Sequence, residues 1–261
     1  MKRKVAKILC VFIALFSSTL PVLAQDHALR IEFQASPFFS WYRSNDNLVL
    51  RNGGGVGLKL GTMAEFYFKD TYSLTTGIGL SFHETGEFLY EIGGNFLPHS
   101  ELSDPLLQTG DKPLPDGTTI RYNLQYVEIP FGMKFKTNES GNVRYFVEAP
   151  VFNFSFLTRA RADIETPDMT YEDENVYKDM SVFNFFWGLG GGFEYSFSEN
   201  NALVVGLFYQ RSLIDFTDDN GYRSIPNPDE DPNDPGDDYY KQTEDSRAIM
   251  SNLVLKLGII F

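Results

Sequence analysis

Apolar and polar residues alternate with a period of two along eight segments of the chain, as in β-strands whose successive side chains face opposite sides of a sheet. The predicted strands are residues 28–42, 54–68, 71–83, 118–136, 143–158, 181–197, 202–216 and 247–261. In the last of them Leu253, Leu255, Leu257 and Ile259 share one face, Lys256 takes the other, and the chain stops at Phe261. Because such a strand would leave an unpaired edge, we predict that it pairs with the first strand and closes a barrel.

The connections between the predicted strands alternate in length. Those at 69–70, 137–142 and 198–201 are short, whereas the four at 43–53, 84–117, 159–180 and 217–246 are longer. Short periplasmic turns and longer extracellular loops are typical of outer-membrane barrels with an even number of strands. The pattern therefore predicts an all-β, eight-stranded, antiparallel transmembrane β-barrel of the outer-membrane type with up-and-down topology. Both termini are expected in the periplasm and the four longer loops outside the cell.

The first 24 residues have the three parts of a signal peptide. A basic start is followed by an apolar run at 8–20 and by the cleavage signal Val22-Leu23-Ala24. The apolar run is shorter than the ~20 residues of a membrane-spanning helix. We therefore predict a signal peptide at 1–24 and a barrel at 25–261. The single cysteine, Cys10, lies in the leader, which excludes disulfides and thiol chemistry from the mature chain.

Aromatic residues make up 15% of the chain, which suits strands with aromatic belts at the membrane boundaries. Side-chain parity places a set of them on the outward face where strands meet the short turns. We predict that this set forms a periplasmic girdle: Phe66, Phe68, Tyr72, Phe135, Tyr145, Tyr195, Phe197 and Phe261.

The inward faces of the predicted strands carry five basic and five acidic residues: Arg30, Lys59, Lys134, Arg144 and Lys256 with Glu32, Glu65, Glu128, Glu148 and Glu194. An eight-stranded barrel has an interior just wide enough for side chains. We therefore predict a network of paired charges that fills the lumen. Buried charges can also mark a path for protons or ions, and this is the alternative interpretation.

Without its leader the chain has 35 acidic and 18 basic residues, and the four longer loops carry the whole net charge of −17. This acidity argues against a nucleic-acid partner. The segment 229–238 is dense in carboxylates that could bind Ca²⁺, with the candidate ligands Asp229, Asp231, Asp234, Asp237 and Asp238. It lacks the spacing of an EF-hand, and its prolines and like charges favour a solvated, mobile loop. No metal site is predicted, and calcium binding remains the alternative.

Candidate catalytic residues are few. Ser81 and His83 are two apart and predicted to face the lumen rim, and some eight-stranded barrels that modify lipids use a serine and a histidine on one strand. Their order and setting do not require catalysis. With only three histidines, His27, His83 and His99, a histidine metal cluster is excluded. We predict neither an enzyme nor a cofactor.

The fourth predicted strand, Tyr122–Lys136, resembles a strand of the PorT-like outer-membrane barrels of Bacteroidota. In that family a Leu-x-Tyr-x-Glu-x-Pro core precedes apolar residues and a lysine, which matches Leu124, Tyr126, Glu128, Pro130 and Lys134. The resemblance extends more weakly over 25–261. It implies the barrel fold and, through PorT itself, an association with type IX secretion. No catalytic role is carried over.

The sequence thus predicts a non-enzymatic, integral outer-membrane barrel with a filled lumen and a structural or interaction role. Its expected partners are outer-membrane lipid and, through the resemblance, envelope or secretion-system proteins. The alternatives are a surface-binding barrel whose acidic loops engage a cation or an external partner, and a lipid-modifying barrel enzyme.

Overall fold

A computed structural model describes residues 29–104, 113–198, 201–218, 220–227 and 239–261, so the predicted signal peptide lies outside it. Within these ranges no helix is long and apolar enough to span a membrane. The one helix named here is a 3₁₀ turn at Tyr177–Asp179. The strands are β1 Leu29–Ser44, β2 Val49–Lys69, β3 Tyr72–Tyr90, β4 Gly94–Asn95, β5 Thr118–Lys136, β6 Val143–Glu165, β7 Thr170–Asn175, β8 Phe183–Ser196, β9 Ala202–Ser212, β10 Tyr222–Pro226, β11 Tyr239–Thr243 and β12 Ala248–Ile260.

Eight of these strands form a closed antiparallel ring in the order β1, β2, β3, β5, β6, β8, β9 and β12. The ring closes where β12 pairs with β1, in a register that sets Phe39 against Leu253. At its end the Phe261 N–H donates to the Ile31 carbonyl over 3.0 Å. The predicted eight-stranded, up-and-down barrel is confirmed. Closure gives the final strand a partner on both sides and removes the exposed edge.

Alternation along the strands separates an apolar outer wall from a polar lumen. On β2 the side chains of Leu58 and Leu60 are exposed, whereas Lys59 between them is buried. On β12 Leu255 and Leu257 are exposed and Lys256 is buried. The period of two therefore decides which residues fill the barrel.

Several strands run further than the sequence pattern indicates. β1 and β2 extend to Ser44 and from Val49, which reduces the predicted loop 43–53 to a four-residue turn at 45–48. β3 continues to Tyr90 and β6 to Glu165, into segments predicted as loops. The outward positions there are polar, among them Arg159 and Arg161, so hydrophobic alternation fades while backbone pairing continues. At 23 residues β6 is about twice the length that a membrane-spanning strand needs.

The remaining strands organise the long loops into a cap over one end of the barrel. β4, β10 and β11 form a three-stranded sheet that joins the predicted loops 84–117 and 217–246. β7 pairs with β6, and the bridges Glu101–Asn175 and Met180–Thr217 connect these loops to the segment 159–180. We call residues 91–104, 113–117, 166–182, 213–218, 220–227 and 239–246 the cap, and the opposite end, with the short turns, the turn end.

Gly86 on β3 provides a test of the packing beneath the cap. A Cβ atom at this position would lie 2.2–2.6 Å from three ring carbons of Tyr42. We expect Gly86→Ala to lower the free energy of unfolding by about 1–3 kcal/mol because the ring has to move. Urea unfolding of the refolded barrel measures this. The matched control is Gly79→Ala on the same strand, whose Cβ would meet nothing closer than 3.4 Å. Equal losses in both variants would contradict the packing described.

Candidate functional site

The lumen contains three groups of ion pairs, of which the first lies near the turn end. Lys134 Nζ is 2.5 Å from Glu194 Oε1 and 3.6 Å from Glu65 Oε2. Lys136 Nζ contacts the same two carboxylates at 2.8 Å each. Arg30 adds a longer contact of 3.8 Å to Glu194. Two lysines and two glutamates thus interlock, and each charge in this square has two opposite charges as neighbours.

The second group joins β12 to β1 and β6. Lys256 Nζ lies 3.3 Å from Glu32 Oε1 and 3.6 Å from Glu148 Oε2. Thr75 on β3 donates a hydrogen bond of 2.5 Å to Glu148. One lysine therefore connects carboxylates from two strands across the lumen, and Thr75 adds a third strand to the group.

The third group lies nearer the cap and has Lys59 at its centre. Its Nζ atom is 2.8 Å from Glu128 Oε1, 3.0 Å from Gln210 Oε1 and 3.5 Å from Glu84 Oε1. Asn252 donates to Glu84 over 3.0 Å. The group links β2, β3, β5, β9 and β12, so it braces opposite sides of the barrel against each other.

Nine of the ten residues predicted for the lumen network take part in these pairs, and Arg144 does not. Arg144 Nη2 lies 3.0 Å from Glu139 Oε2 in the turn at 137–142, and both side chains are partly exposed. Its place in the lumen network is corrected because it is the second residue of β6, where a long side chain reaches the solvent at the barrel mouth. The sequence interpretation also missed two members, Lys136 and Glu84. Lys136 could have been found, since it shares the parity of Lys134.

A β-bulge on β3 explains why the sequence pattern missed Glu84. It also corrects the prediction that Ser81 and His83 both face the lumen rim. The pairing register of β3 with β5 shifts between Ser81 and Glu84, and His83 adopts a φ of 59°. The bulge turns His83 to the exposed outer wall, where its ring contacts Asn123, and brings Glu84 into the lumen. Ser81 is buried and donates to Glu84 over 3.0 Å. Ser81 and His83 therefore face opposite sides of the wall and do not form a catalytic pair.

An internal cavity of about 50 Å³ lies between the second and third groups. Lys59, Glu128, Glu148 and Lys256 are among its lining residues. This exceeds the roughly 10–15 Å³ that a cavity needs to hold a water molecule, so the cavity can be hydrated. A cavity of this size leaves a small space among the polar side chains but is not a channel along the barrel.

Above the third group an aromatic cluster fills the end of the lumen beneath the cap. Phe216, which follows β9, is fully buried with its ring centroid 4.6 Å from Tyr42 and 5.9 Å from Tyr122. Phe88 stacks on the Phe216 ring, with the two ring centroids 6.4 Å apart. Tyr42 donates to the Glu84 carbonyl oxygen over 2.6 Å. Phe216 therefore holds the cap in the barrel by the same aromatic packing that closes the lumen.

The cap is held together by buried carboxylates. Asp179 accepts hydrogen bonds from the backbone N–H of His99 at 3.1 Å and from the Ser100 hydroxyl. Glu174 accepts from the backbone N–H of Ser103 at 2.7 Å. These contacts join two loops that are about 70 residues or more apart in sequence. Asp179 and Glu174 therefore have a structural role in the cap.

Arg223 fastens the cap sheet to the short turn between β1 and β2. Its buried guanidinium lies 2.6 Å from Asp46 and 3.4 Å from Glu244. Burial is the largest influence on Asp46 and raises its pKa, but the backbone N–H of Leu48 and Arg223 together outweigh it, so the pKa lies below its usual value. Burial raises the pKa of Glu244 above its usual value, against the opposing effect of Arg223.

The two shifts have opposite consequences for the pH dependence of the cap. A lowered pKa means that Asp46 stabilises the fold above its unfolded pKa of about 3.9, and that this stabilisation is lost as the pH falls through the folded value. The raised pKa of Glu244 favours the fold at low pH and costs stability as the pH rises through its folded value. Asp46 is therefore the carboxylate that fastens the cap at neutral pH.

We expect Asp46→Asn to loosen the cap at pH 7, because Arg223 then loses its closest anionic partner. The rate of tryptic cleavage after Arg223 and Lys241 should rise severalfold while the barrel stays folded. Wild-type protein should show the same acceleration below about pH 4 with an acid-active protease. Glu101→Gln removes an exposed cap pair with Lys178 and is the matched control, with unchanged cleavage expected. An unaltered rate in Asp46→Asn would remove the proposed fastening.

The aromatic residues predicted for a girdle lie around the turn end. Seven of them, Phe68, Tyr72, Phe135, Tyr145, Tyr195, Phe197 and Phe261, are exposed on the outer wall, and Phe66 is partly buried. Tyr72 packs edge-to-face on Phe135 with ring centroids 5.6 Å apart, and Phe261 packs on Phe33 at 6.0 Å. The candidate calcium ligands Asp229, Asp231, Asp234, Asp237 and Asp238 fall outside the described residues. In the part of the chain that is described, no three His, Cys, Asp or Glu side chains are placed to hold a metal ion.

A family model described as "Outer membrane protein beta-barrel domain" matches residues 23–218. Similar solved structures include Neisserial surface protein A (10% identity, 90% of this chain and 98% of that one, TM-score 0.41). OprG from Pseudomonas aeruginosa has 11% identity over 89% of this chain and 95% of that one, with a TM-score of 0.42. The outer membrane protease OmpT from Escherichia coli has 9% identity over 91% and 97%, with a TM-score of 0.37. No curated protein matches the sequence significantly.

Proposed function

Since the chain belongs to the outer membrane protein beta-barrel domain family, we propose that it is a non-enzymatic, non-conducting barrel that presents its cap as an interaction surface. The observation that carries this proposal is the filling of the lumen. Three groups of ion pairs and an aromatic cluster follow one another from the turn end to the cap. A barrel filled in this way holds its loops in place and offers them to the outside.

The proposed orientation places the turn end and both termini in the periplasm and the cap outside the cell. Two observations support it. The exposed aromatic residues collect at the turn end, where a girdle would meet the membrane boundary. Long loops and extended strands collect at the other end, where Arg121 and Glu87 form an ion pair on the outer wall that would be costly in lipid.

A lipid-modifying enzyme receives no support from the geometry. The bulge on β3 separates His83 from Ser81, and the Ser81 hydroxyl is engaged by Glu84. OmpT, a protease, is among the similar solved structures, but at 9% identity that likeness concerns the fold alone. The proposal is therefore a structural or interaction role.

Within that role we propose an accessory part in type IX secretion. The support is the resemblance of Tyr122–Lys136 to a strand of the PorT-like barrels. In this chain the resembling residues are lumen packing: Tyr126 is fully buried and Glu128 pairs with Lys59. Because such residues stabilise the barrel, the interaction itself is assigned to the cap.

The experiment is a gene deletion followed by comparison of the secreted proteome. We expect the deletion to reduce secreted proteins and wild-type complementation to restore them. A variant in which residues 217–246 are replaced by a short Gly-Ser turn should reach the membrane and fail to restore secretion. An unchanged secreted proteome in the deletion strain would refute the secretion role. Full restoration by the shortened variant would refute the interaction role of the cap.

A further inference from the structure

The outer wall below the cap has a pocket of about 630 Å³ with an unusual charge. Three arginines, Arg43, Arg211 and Arg247, line it together with Trp187 and neutral residues, and no acidic side chain is among its lining residues. We call it the arginine pocket. In a chain whose mature part has a net charge of −17, three cations without an acid in one pocket require an explanation.

The strand register brings these side chains onto adjacent positions of the same face. Across β1, β12, β9 and β8 the residues Trp41, Ser251, Arg211 and Trp187 form one row of pairing partners. In the next row Arg43 pairs with Ile249, two residues after Arg247. Strands lie about 4.8 Å apart, so the guanidinium groups can converge on one ligand. The pocket is thus built mostly on strands, and the lining residues Asn45, Leu213 and Arg247 lie immediately outside them.

Three other exposed arginines near the cap have acidic partners, whereas Arg51 packs over the Trp41 ring at 5.8 Å. Arg121 pairs with Glu87 at 2.8 Å, and Arg159 and Arg161 both contact Asp173. Among the described residues no acid lies within ion-pair distance of Arg43, Arg211 or Arg247. The guanidinium of Arg247 donates to the Leu213 carbonyl oxygen, which holds it against the wall. Asp215 interacts electrostatically with Arg247 beyond ion-pair distance, so the positive charge of the pocket comes mainly from Arg43 and Arg211.

The pocket lies where the outer wall changes from apolar to charged. Along β1 the outward residues run Phe39, Trp41, Arg43, and along β9 they run Leu207, Tyr209, Arg211. Both tryptophans of the chain, Trp41 and Trp187, lie at this boundary between the apolar and charged parts of the wall. Trp41 packs against Tyr209 with ring centroids 6.3 Å apart. Tryptophan and tyrosine favour the headgroup level of a membrane. The arginines are therefore at the height of lipid headgroups.

We propose that the arginine pocket binds the phosphorylated headgroup of a glycolipid in the outer leaflet. Guanidinium groups form bidentate, charge-assisted hydrogen bonds with phosphate, and a ligand with two phosphates can engage arginines from both sides of β12. The acyl chains would lie on the exposed leucines of the wall, among them Leu189 and Leu253. This inference rests on the proposed orientation, since only with the cap outside does the pocket meet the outer leaflet.

The test measures retention of bis-phosphorylated lipid A by the refolded protein in phosphatidylcholine nanodiscs, using native mass spectrometry. Wild-type protein should retain it, and Arg43→Gln/Arg211→Gln/Arg247→Gln should weaken retention by at least about tenfold. The matched control is Arg121→Gln/Arg159→Gln/Arg161→Gln, which removes three charges from the opposite wall and should bind as wild type does. Different migration of boiled and unboiled samples establishes that both variants are folded.

Three outcomes would overturn the proposal. These are undiminished retention by the pocket variant, equal retention of dephosphorylated lipid A, and complete displacement by millimolar inorganic phosphate, which would make the pocket a site for free anions. Protease treatment of intact cells tests the orientation separately. Cleavage of the cap from outside with failed lipid binding would refute the pocket alone, and a cap cleaved only after the outer membrane is permeabilised would refute the orientation.

Discussion

Replacing Lys134 by methionine is expected to lower the free energy of unfolding by about 3–5 kcal/mol. Lys134 is fully buried between Glu194 and Glu65, and its loss leaves two buried carboxylates with Lys136 as their nearest remaining lysine. The two carboxylates then share Lys136, and the excess negative charge is costly in a low-dielectric interior even when the volume of the side chain is kept. Urea unfolding of the barrel in detergent micelles, followed by gel mobility, measures the change.

Arg144→Met is the matched control for this variant. Parity alone assigns both residues to the lumen, but the structure pairs Arg144 with Glu139 at the barrel mouth. An exposed pair of this kind contributes at most about 1 kcal/mol. The second substitution Glu194→Gln should recover part of the stability lost in Lys134→Met, because it removes the excess negative charge around Lys136. Similar losses in the Lys134 and Arg144 variants would contradict the buried square of charges.

Phe216→Ala is the second change with a large expected effect, about 3–5 kcal/mol. Phe216 is fully buried against Tyr42, Phe88 and Tyr122, and its removal leaves a cavity where the cap enters the barrel. We expect the cap to detach before the wall unfolds, since the strands keep their ring of hydrogen bonds. Limited proteolysis should cut within 217–246 much faster than in wild type, while boiled and unboiled samples still migrate differently.

The control for Phe216→Ala is Phe131→Ala, which removes an exposed aromatic ring from the outer wall of β5. Its cap should resist protease as the wild-type cap does. If Phe216→Ala leaves the cap equally resistant, Phe216 does not hold the cap. If the variant loses its heat-dependent migration together with its cap, the cap and the barrel fold as one cooperative unit, which would contradict the separation expected here.

The barrel was predictable from sequence because its determinants are local. A period of two fixes which side chains face the lumen, and the lengths of the connections indicate the antiparallel order. The same rule fails where the backbone departs from regular pairing. The bulge at His83 reverses the parity of Glu84, and no pattern in the sequence indicates a bulge there. The prediction for Arg144 fails for another reason, because parity gives the direction of a side chain but not its distance from the solvent.

The cap was not predictable, because its contacts join segments that are far apart in the chain. Arg223 meets Asp46 across 177 residues, and Phe216 meets Tyr42 across a similar distance. In these loops the prolines, glycines and acidic residues resemble those of a solvated segment. Part of the acidity of these loops is structural, because the buried carboxylates of Asp179 and Glu174 accept hydrogen bonds from neighbouring loops. Only the tertiary structure distinguishes such carboxylates from ligands for a cation.

The filled lumen is tested most directly by current recordings across a planar lipid bilayer containing the purified, refolded wild-type barrel. Lys59, Lys134 and Lys256 each join carboxylates from different strands across the interior, and the aromatic cluster closes the end beneath the cap. We therefore expect a flat baseline with no discrete current steps, from protein whose heat-dependent gel migration shows that it is folded. Reproducible single-channel steps from the same protein would contradict the account.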